Sequence, residues 1–297
     1  MDIKILNHNF CDYSKYMRGY SEPTIRRYKQ VLNFYSNNYK VADIKDINIE
    51  NLRRLFYDGR TKHSWSANTF INYHKTLSVF FQWCVKEGYL KEDLTKDIEV
   101  PKLEKRLPPK LTKQQALRLL EVVCNYPYFY KFLRYRNHAI FATFIYTGLR
   151  KKELLNLKLV DVDLENFSIF VRQGKGSKDR IVPMSFRLAD ILKEYLKERK
   201  RLSKTCPEFF TSLNRDCGFR DTGLKRLVEK IKKISCIDFT IHKLRHTFAT
   251  LMLEGGCDIF SLSRMMGHSD IKTTTIYLAA SAEHLRGEMM KHPLNAL

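Results

Sequence analysis

Three prolines, Pro101, Pro108 and Pro109, fall between Val100 and Lys110 in the stretch VPKLEKRLPPK, which alternates charge and has little apolar periodicity. Proline fixes its own φ and has no N–H to donate, so neither a helix nor a central strand runs through such a stretch. It reads as an extended linker. A chain of 297 residues cut there has two parts, 1–107 and 108–297, each long enough for its own core. Hydrophobic residues make up 44% of the sequence, which argues against wholesale disorder.

Before the linker the apolar period is helical. From Thr24 to about Tyr39 the residues Ile25, Tyr28, Val31, Leu32 and Tyr35 share one face while Arg26, Arg27 and Lys29 fall between them, giving an amphipathic helix with a basic face. Ser21 is its expected N-cap and Pro23 lies in its first turn. A second helix is expected over Ile49 to Tyr57, stopped near Gly59, and a third over Ser66 to Glu87, with Phe70, Tyr73, Leu77, Phe80, Phe81 and Cys84 on one side. After the linker, Thr112 caps a further helix and an apolar run from Phe132 to Tyr146 closes at Gly148.

Only two segments read as strands, Phe167 to Arg172 and Arg180 to Met184, joined in a hairpin by Gln-Gly-Lys-Gly-Ser-Lys-Asp. Helices are expected again over 186–202, 222–233, 242–254, 259–265 and after Ser281. The fold class is therefore mainly α: a helical N-terminal domain, then a mixed but mostly helical domain with a small antiparallel sheet.

The formal net charge is +21, from 53 Lys and Arg against 32 Asp and Glu. Such an excess points to a polyanionic partner, and nucleic acid leads because neutralising phosphates releases condensed counterions. An anionic membrane is disfavoured, since the basic residues are spread over many segments and no long uncharged apolar run exists. The start MDIKILNHNF lacks the succession of a secretory signal, which predicts a cytoplasmic protein. Seven scattered cysteines without a C-x-x-C pair suggest neither disulfides nor zinc, so no metal site is expected.

Two segments carry polar residues that do not fit a solvated face. In Thr147-Gly148-Leu149-Arg150-Lys151-Lys152-Glu153 a glycine turn ends one buried helix and delivers Arg150 to the start of the next, beside backbone N–H groups suited to an anion. In His242-Lys243-Leu244-Arg245-His246 the residues His242 and Arg245 are three apart and share a helix face, placing an acid/base group and a cation together. Downstream come Gly267-His268 in a tight turn and Thr273-Thr274-Thr275-Ile276-Tyr277.

These segments, with Gly174-Lys175-Gly176-Ser177-Lys178-Asp179-Arg180, occur in the order found in the tyrosine recombinases, and the chain resembles that phage-integrase family of Xer proteins and transposon integrases. The likeness extends over nearly the whole chain, since residues 1–107 look like the family's helical, SAM-like core-binding domain. Leu278 departs from a common histidine and Met266 from a common leucine, without loss of a catalytic atom.

The resemblance implies that Tyr277 attacks a backbone phosphorus, forming a 3′-phosphotyrosyl link and releasing a 5′-hydroxyl. Arg150 and Arg245 would hold the non-bridging oxygens through charge-assisted forks. His268 would add a hydrogen bond, Lys175 would protonate the leaving oxygen, and His242 would assist proton movement at the tyrosine. Glu153 would orient the cations. His246 resembles a family position that packs and hydrogen-bonds. Arg172, Lys178 and Arg180 are expected as phosphate contacts near the cut, and Arg26 and Arg27 as DNA contacts of the first domain. No cofactor is implied, because side chains supply every charge.

The implied partner is double-stranded DNA with inverted-repeat core sites, gripped by a two-domain clamp. Four protomers, monomers or dimers in solution, would assemble on two sites and exchange strands through a Holliday junction for chromosome dimer resolution or mobile-element integration and excision. The last helix, around His284 to Met290, would dock into a neighbour. Two rivals remain: a type IB topoisomerase-like enzyme that only relaxes DNA, and a catalytically inactive DNA-binding protein on the same fold.

Overall fold

Helices form where apolar residues repeat at helical spacing. The computed structural model describes residues 1–103, 108–172, 179–268 and 270–278. The chain divides into two units, Met1–Lys105 and Arg106–Leu297.

The first unit contains α1 (Ile3–Asp12), α2 (Glu22–Asn38), α3 (Ile49–Thr61) and α4 (Ala67–Lys86). Helix α2 buries Ile25, Tyr28, Val31, Leu32 and Tyr35 and leaves Arg26 and Arg27 exposed, as their spacing predicts. Ser21 stands at its N-cap, but the hydroxyl meets Thr24 Oγ1 at 3.1 Å and caps no backbone N–H. Helix α4 contributes Leu77, Phe80, Phe81 and Cys84, all without solvent exposure, and burying each phenylalanine stabilises by roughly 1.5–3 kcal/mol.

Two further details of the first unit differ from the sequence reading. Helix α1 was not expected, because Asn7, His8 and Asn9 interrupt a weak pattern; Asp2 caps it by accepting from the Lys4 amide at 2.6 Å, and Ile3, Leu6 and Phe10 anchor it. Helix α3 passes through Gly59 instead of stopping there. A β-carbon at Gly59 would stand 2.3 Å from the Trp65 ring, so that glycine makes room for an indole and ends nothing.

The second unit is built around α6 (Lys131–Thr147), whose Phe132, Ile140, Phe141 and Phe144 are fully buried. It packs against α5 (Lys113–Asn125), α8 (Phe186–Arg201) and α10 (Ile241–Glu254). Helix α7 (Lys151–Leu155) follows α6, and α9 (Asp221–Ser235) packs on α5. The sheet has the order β1 (Val162–Asp163), β2 (Ser168–Val171), β3 (Arg180–Pro183), all antiparallel, with Ile169 opposite Val182 and Val171 opposite Arg180. Strand β1 is an addition to the expected hairpin. Ile169, Val171 and Val182 point into the core.

Helices α11 (Ile259–Met266) and α12 (Lys272–Thr275) complete the described fold. With α10 they enclose a separate small cluster of Phe248, Ala249, Leu253, Leu262, Met266 and Tyr277. No described helix is long and apolar enough to cross a membrane.

Candidate active site

The site begins where α6 ends. Gly148 adopts φ +61, a left-handed conformation that costs glycine little, and its amide closes the helix on the Phe144 carbonyl. The turn delivers Arg150 to the N-cap of α7. The Arg150 amide donates to Glu153 Oε2 at 2.7 Å, its Nη1 to Glu153 Oε1 at 2.8 Å and its Nη2 to the Gly267 carbonyl at 2.8 Å. The backbone donor expected to face an anion is thus given to the chain's own carboxylate. The Arg150 side chain keeps 22% of its surface open to solvent.

Arg245 enters from α10, where Leu244 and Phe248 point to the core. Its Nη1 donates to the Gly148 carbonyl, and its Nη2 donates to the Met266 carbonyl at 2.6 Å and lies 3.1 Å from His268 Nε2. An arginine has only donors, so Nε2 accepts and the neutral ring carries its proton on Nδ1. That nitrogen lies 2.7 Å from Thr274 Oγ1 and donates to it. Donation from Nε2 to a phosphate needs the ring proton on that nitrogen, with Nδ1 then accepting from the Thr274 hydroxyl.

Tyr277 is 2% exposed and packs into the small cluster between α10 and α11. Its hydroxyl lies 2.8 Å from His246 Nδ1. Burial raises the Tyr277 pKa, and the charges of Arg245 and Arg150 oppose that rise. The His246 pKa is lowered, first by burial and then by His242 and Arg245, so at neutral pH its ring is uncharged and can accept a proton. The sequence reading set His242 beside the tyrosine's proton. The ring that meets the phenol is instead His246, one helical turn on, while His242 is exposed and acts on His246 electrostatically. His246 does hydrogen-bond, as expected of it, and its partner is the candidate nucleophile.

Glu153 does gather cations. Burial alone would raise its pKa, but hydrogen bonds from Arg180 and Arg150 hold it down to about 2. Arg245 is pushed down to about 10, chiefly by burial and then by Arg150, and stays charged. Three guanidinium groups around one carboxylate leave two positive charges in excess, an imbalance that an incoming phosphodiester reduces.

Arg180, expected as a phosphate contact near the cut, is turned inward onto Glu153. Its side chain is only 9% exposed and its Nη groups both bond Glu153. The signal was in the sequence: strand alternation that buries Val182 also turns Arg180 to the same face. Arg172 is half-exposed, with Nε donating to Asp161 Oδ1 at 2.6 Å. Arg26 and Arg27 lie on the exposed face of α2 in the other unit. Lys175, Lys178 and the segment His284 to Met290 fall outside the described residues.

Comparison with known proteins points to one family. Residues 109–284 match the Phage integrase family. The chain is 34% identical to tyrosine recombinase XerC of Thermodesulfovibrio yellowstonii over 97% of its own length and 96% of that protein. It is 33% identical to tyrosine recombinase XerA of Thermococcus kodakarensis over 94% of its own length and 92% of that protein. Its fold matches, at a TM-score of 0.74 and 23% identity, the XerH site-specific recombinase bound to a palindromic difH substrate in a post-cleavage complex, over 95% of this chain and 82% of the other. A buried Arg245 beside a partly exposed Arg150, a histidine on the first and a tyrosine close enough to feel both thus stand in a chain that belongs to the phage integrase family of tyrosine recombinases.

Proposed function

We propose that this chain is a site-specific recombinase that cuts and rejoins double-stranded DNA through Tyr277. The observation that carries the reading is the convergence of Arg150, Arg245 and His268 on one pocket whose charge is in excess, with the Tyr277 phenol near enough for both arginines to pull on its proton. In the proposed step Tyr277 Oη attacks phosphorus, its proton passes to His246, and the 5′ oxygen leaves with a proton from Lys175. One phosphodiester becomes one phosphotyrosyl ester and one 5′-hydroxyl, so the reverse step needs no external energy. Arg150 and Arg245 neutralise the charge that gathers on the non-bridging oxygens in the pentacoordinate transition state.

In this reading residues 1–107 form a core-binding domain, α2 presents Arg26 and Arg27 to DNA, and residues 108–297 form the catalytic domain. Four protomers act on two inverted-repeat sites through a Holliday junction, linked by exchange of their C-terminal helices. The similarity to the Xer recombinases supports this assembly.

A nicked suicide duplex carrying a candidate core site tests the reading. The wild-type protein should become covalently attached to the 3′ side of the cut, whereas Tyr277→Phe should bind the same duplex within about twofold and never become attached. Attachment by the Phe protein, or none by the wild type on any inverted repeat from its own genome, would overturn it.

A further inference from the structure

Three successive carbonyls close α11, and each accepts from a different arginine. Met265 O takes Arg180 Nε at 2.8 Å, Met266 O takes Arg245 Nη2 at 2.6 Å, and Gly267 O takes Arg150 Nη2 at 2.8 Å. The last carbonyls of a helix have no partner within it and carry the negative end of its dipole, so this terminus is a natural seat for cations. The arginines arrive from three separate elements, β3, α10 and the start of α7.

Arg150 and Arg245 already have a part in the proposed reaction, but Arg180 has none. Its Nη1 meets Glu153 Oε1 at 2.9 Å and its Nη2 meets Oε2 at 2.8 Å, a two-pronged pair that sets the plane of the carboxylate. Each of those oxygens also receives one bond from Arg150, at Nη1 and at the backbone amide. Glu153 is therefore shared evenly between the two arginines. Gly267 is fitted to the arrangement: its φ is +64, and a β-carbon there would lie 2.9 Å from Arg180 Cδ and Nη1.

We propose that Arg180 is a positioning residue for the phosphate pocket: by dividing Glu153 with Arg150 and bracing β3 on the end of α11, it keeps Arg150 from being neutralised by its own carboxylate and aimed at the anion. With Arg180 gone, Glu153 has one guanidinium left to close on, and the excess charge of the pocket falls by one. Lysine cannot replace it, since an ammonium offers neither the fork nor the third bond to Met265.

The experiment uses the full chain in two arms, the first independent of any reaction. Inorganic phosphate is titrated while thermal unfolding is followed, with Arg150→Ala defining the part of the stabilisation that belongs to this pocket. Arg180→Gln and Arg180→Lys should each need about tenfold more phosphate for the same Arg150-dependent shift. An unchanged requirement, or a wild type with no Arg150-dependent shift, overturns the proposal.

The second arm rests on the recombinase reading and measures single-turnover cleavage of the nicked duplex at saturating DNA. Arg180→Gln should cleave about 10- to 100-fold more slowly, the range for a residue that orients a ligand-bearing group. Its dissociation constant for DNA should stay within about twofold, with an unchanged salt slope. In an Arg150→Ala background the same change should cost under about twofold. An equal cost in both backgrounds, or a salt slope lowered by about one with cleavage intact, would make Arg180 a direct phosphate contact. A wild type that never cleaves, beside a phosphate arm that behaves as expected, would sink the recombinase reading and leave the role of Arg180 standing.

Discussion

The phosphate pocket and the tyrosine seat adjoin one another but are built from opposite materials. The pocket is polar and cross-braced: Arg150, Arg180 and Arg245 come from three elements, and each is tied to backbone carbonyls that cannot shift without moving a helix end. Tyr277 rests in a cluster of six buried residues, far smaller than the core around α6, with one hydrogen bond at its tip. Fixed donors cost no reorganisation when charge develops, which favours the first design for an anion. A small apolar cluster opens at lower free energy than a large core, which favours the second for a group that must meet DNA and then let go. The arginine half of the candidate site is cross-braced to backbone carbonyls, and the half that holds Tyr277 is packed in a small cluster.

The largest effect should come from breaking the cross-braced half. Arg245→Ala removes the donor to Gly148, Met266 and His268 together, and should slow single-turnover cleavage by about 10²–10³-fold, as loss of one preorganised donor does elsewhere. Arg245→Lys should recover little of that rate. Quenched-flow cleavage at saturating DNA decides it, and a loss under about tenfold would mean the brace is redundant.

A smaller effect is expected at the tip of the half that holds Tyr277. His246→Phe keeps the ring's volume but removes the acceptor of the phenol's proton, and should slow cleavage by about 10²-fold, the low end for a positioned base. The pH dependence fixes the sign. Because the His246 pKa is lowered by burial, the neutral acceptor persists to below the ordinary histidine value of 6.5, and the rate falls only as pH drops through the lowered value. The Phe protein should lack that acidic limb. A limb of unchanged position in the Phe protein would assign it to His242 or His268 instead.

The two halves were also unequally legible in the sequence. Arg150, Arg245 and His268 stand in short local patterns, a glycine turn and a three-residue helical step, whose physics needs only neighbouring residues. Arg180 lies outside any such pattern. Its partner Glu153 is separated from it by β1 and β2, and its carbonyl acceptor Met265 lies four helices on. Strand alternation gave the direction of its side chain but not its destination. His246 and Tyr277 are separated by 31 positions, so their meeting depends on how α11 folds back on α10. The helices themselves were legible wherever one face was continuous. Helix α1 was missed where asparagines thin the pattern, and the end of α3 where a glycine serves packing.

The smallest effect on reaction should follow from loosening the tyrosine seat alone. Leu253 is fully buried in the cluster that also holds Tyr277. Truncating it to alanine costs about 2–5 kcal/mol where the surroundings cannot collapse, and that cost falls on the cluster that holds Tyr277 down. Opening the cluster exposes the phenol, and burial is the influence that raises its pKa, so the freed hydroxyl ionises more readily. The lost packing and the easier ionisation oppose one another. Cleavage by Leu253→Ala at saturating DNA should therefore stay within a few-fold of wild type, even as its unfolding temperature drops and Tyr277 becomes open to nitration. Phosphate binding by the arginine pocket should not change. If the truncation instead weakened phosphate binding as much as it lowered stability, the two halves would share one cooperative unit and the contrast between them would be lost.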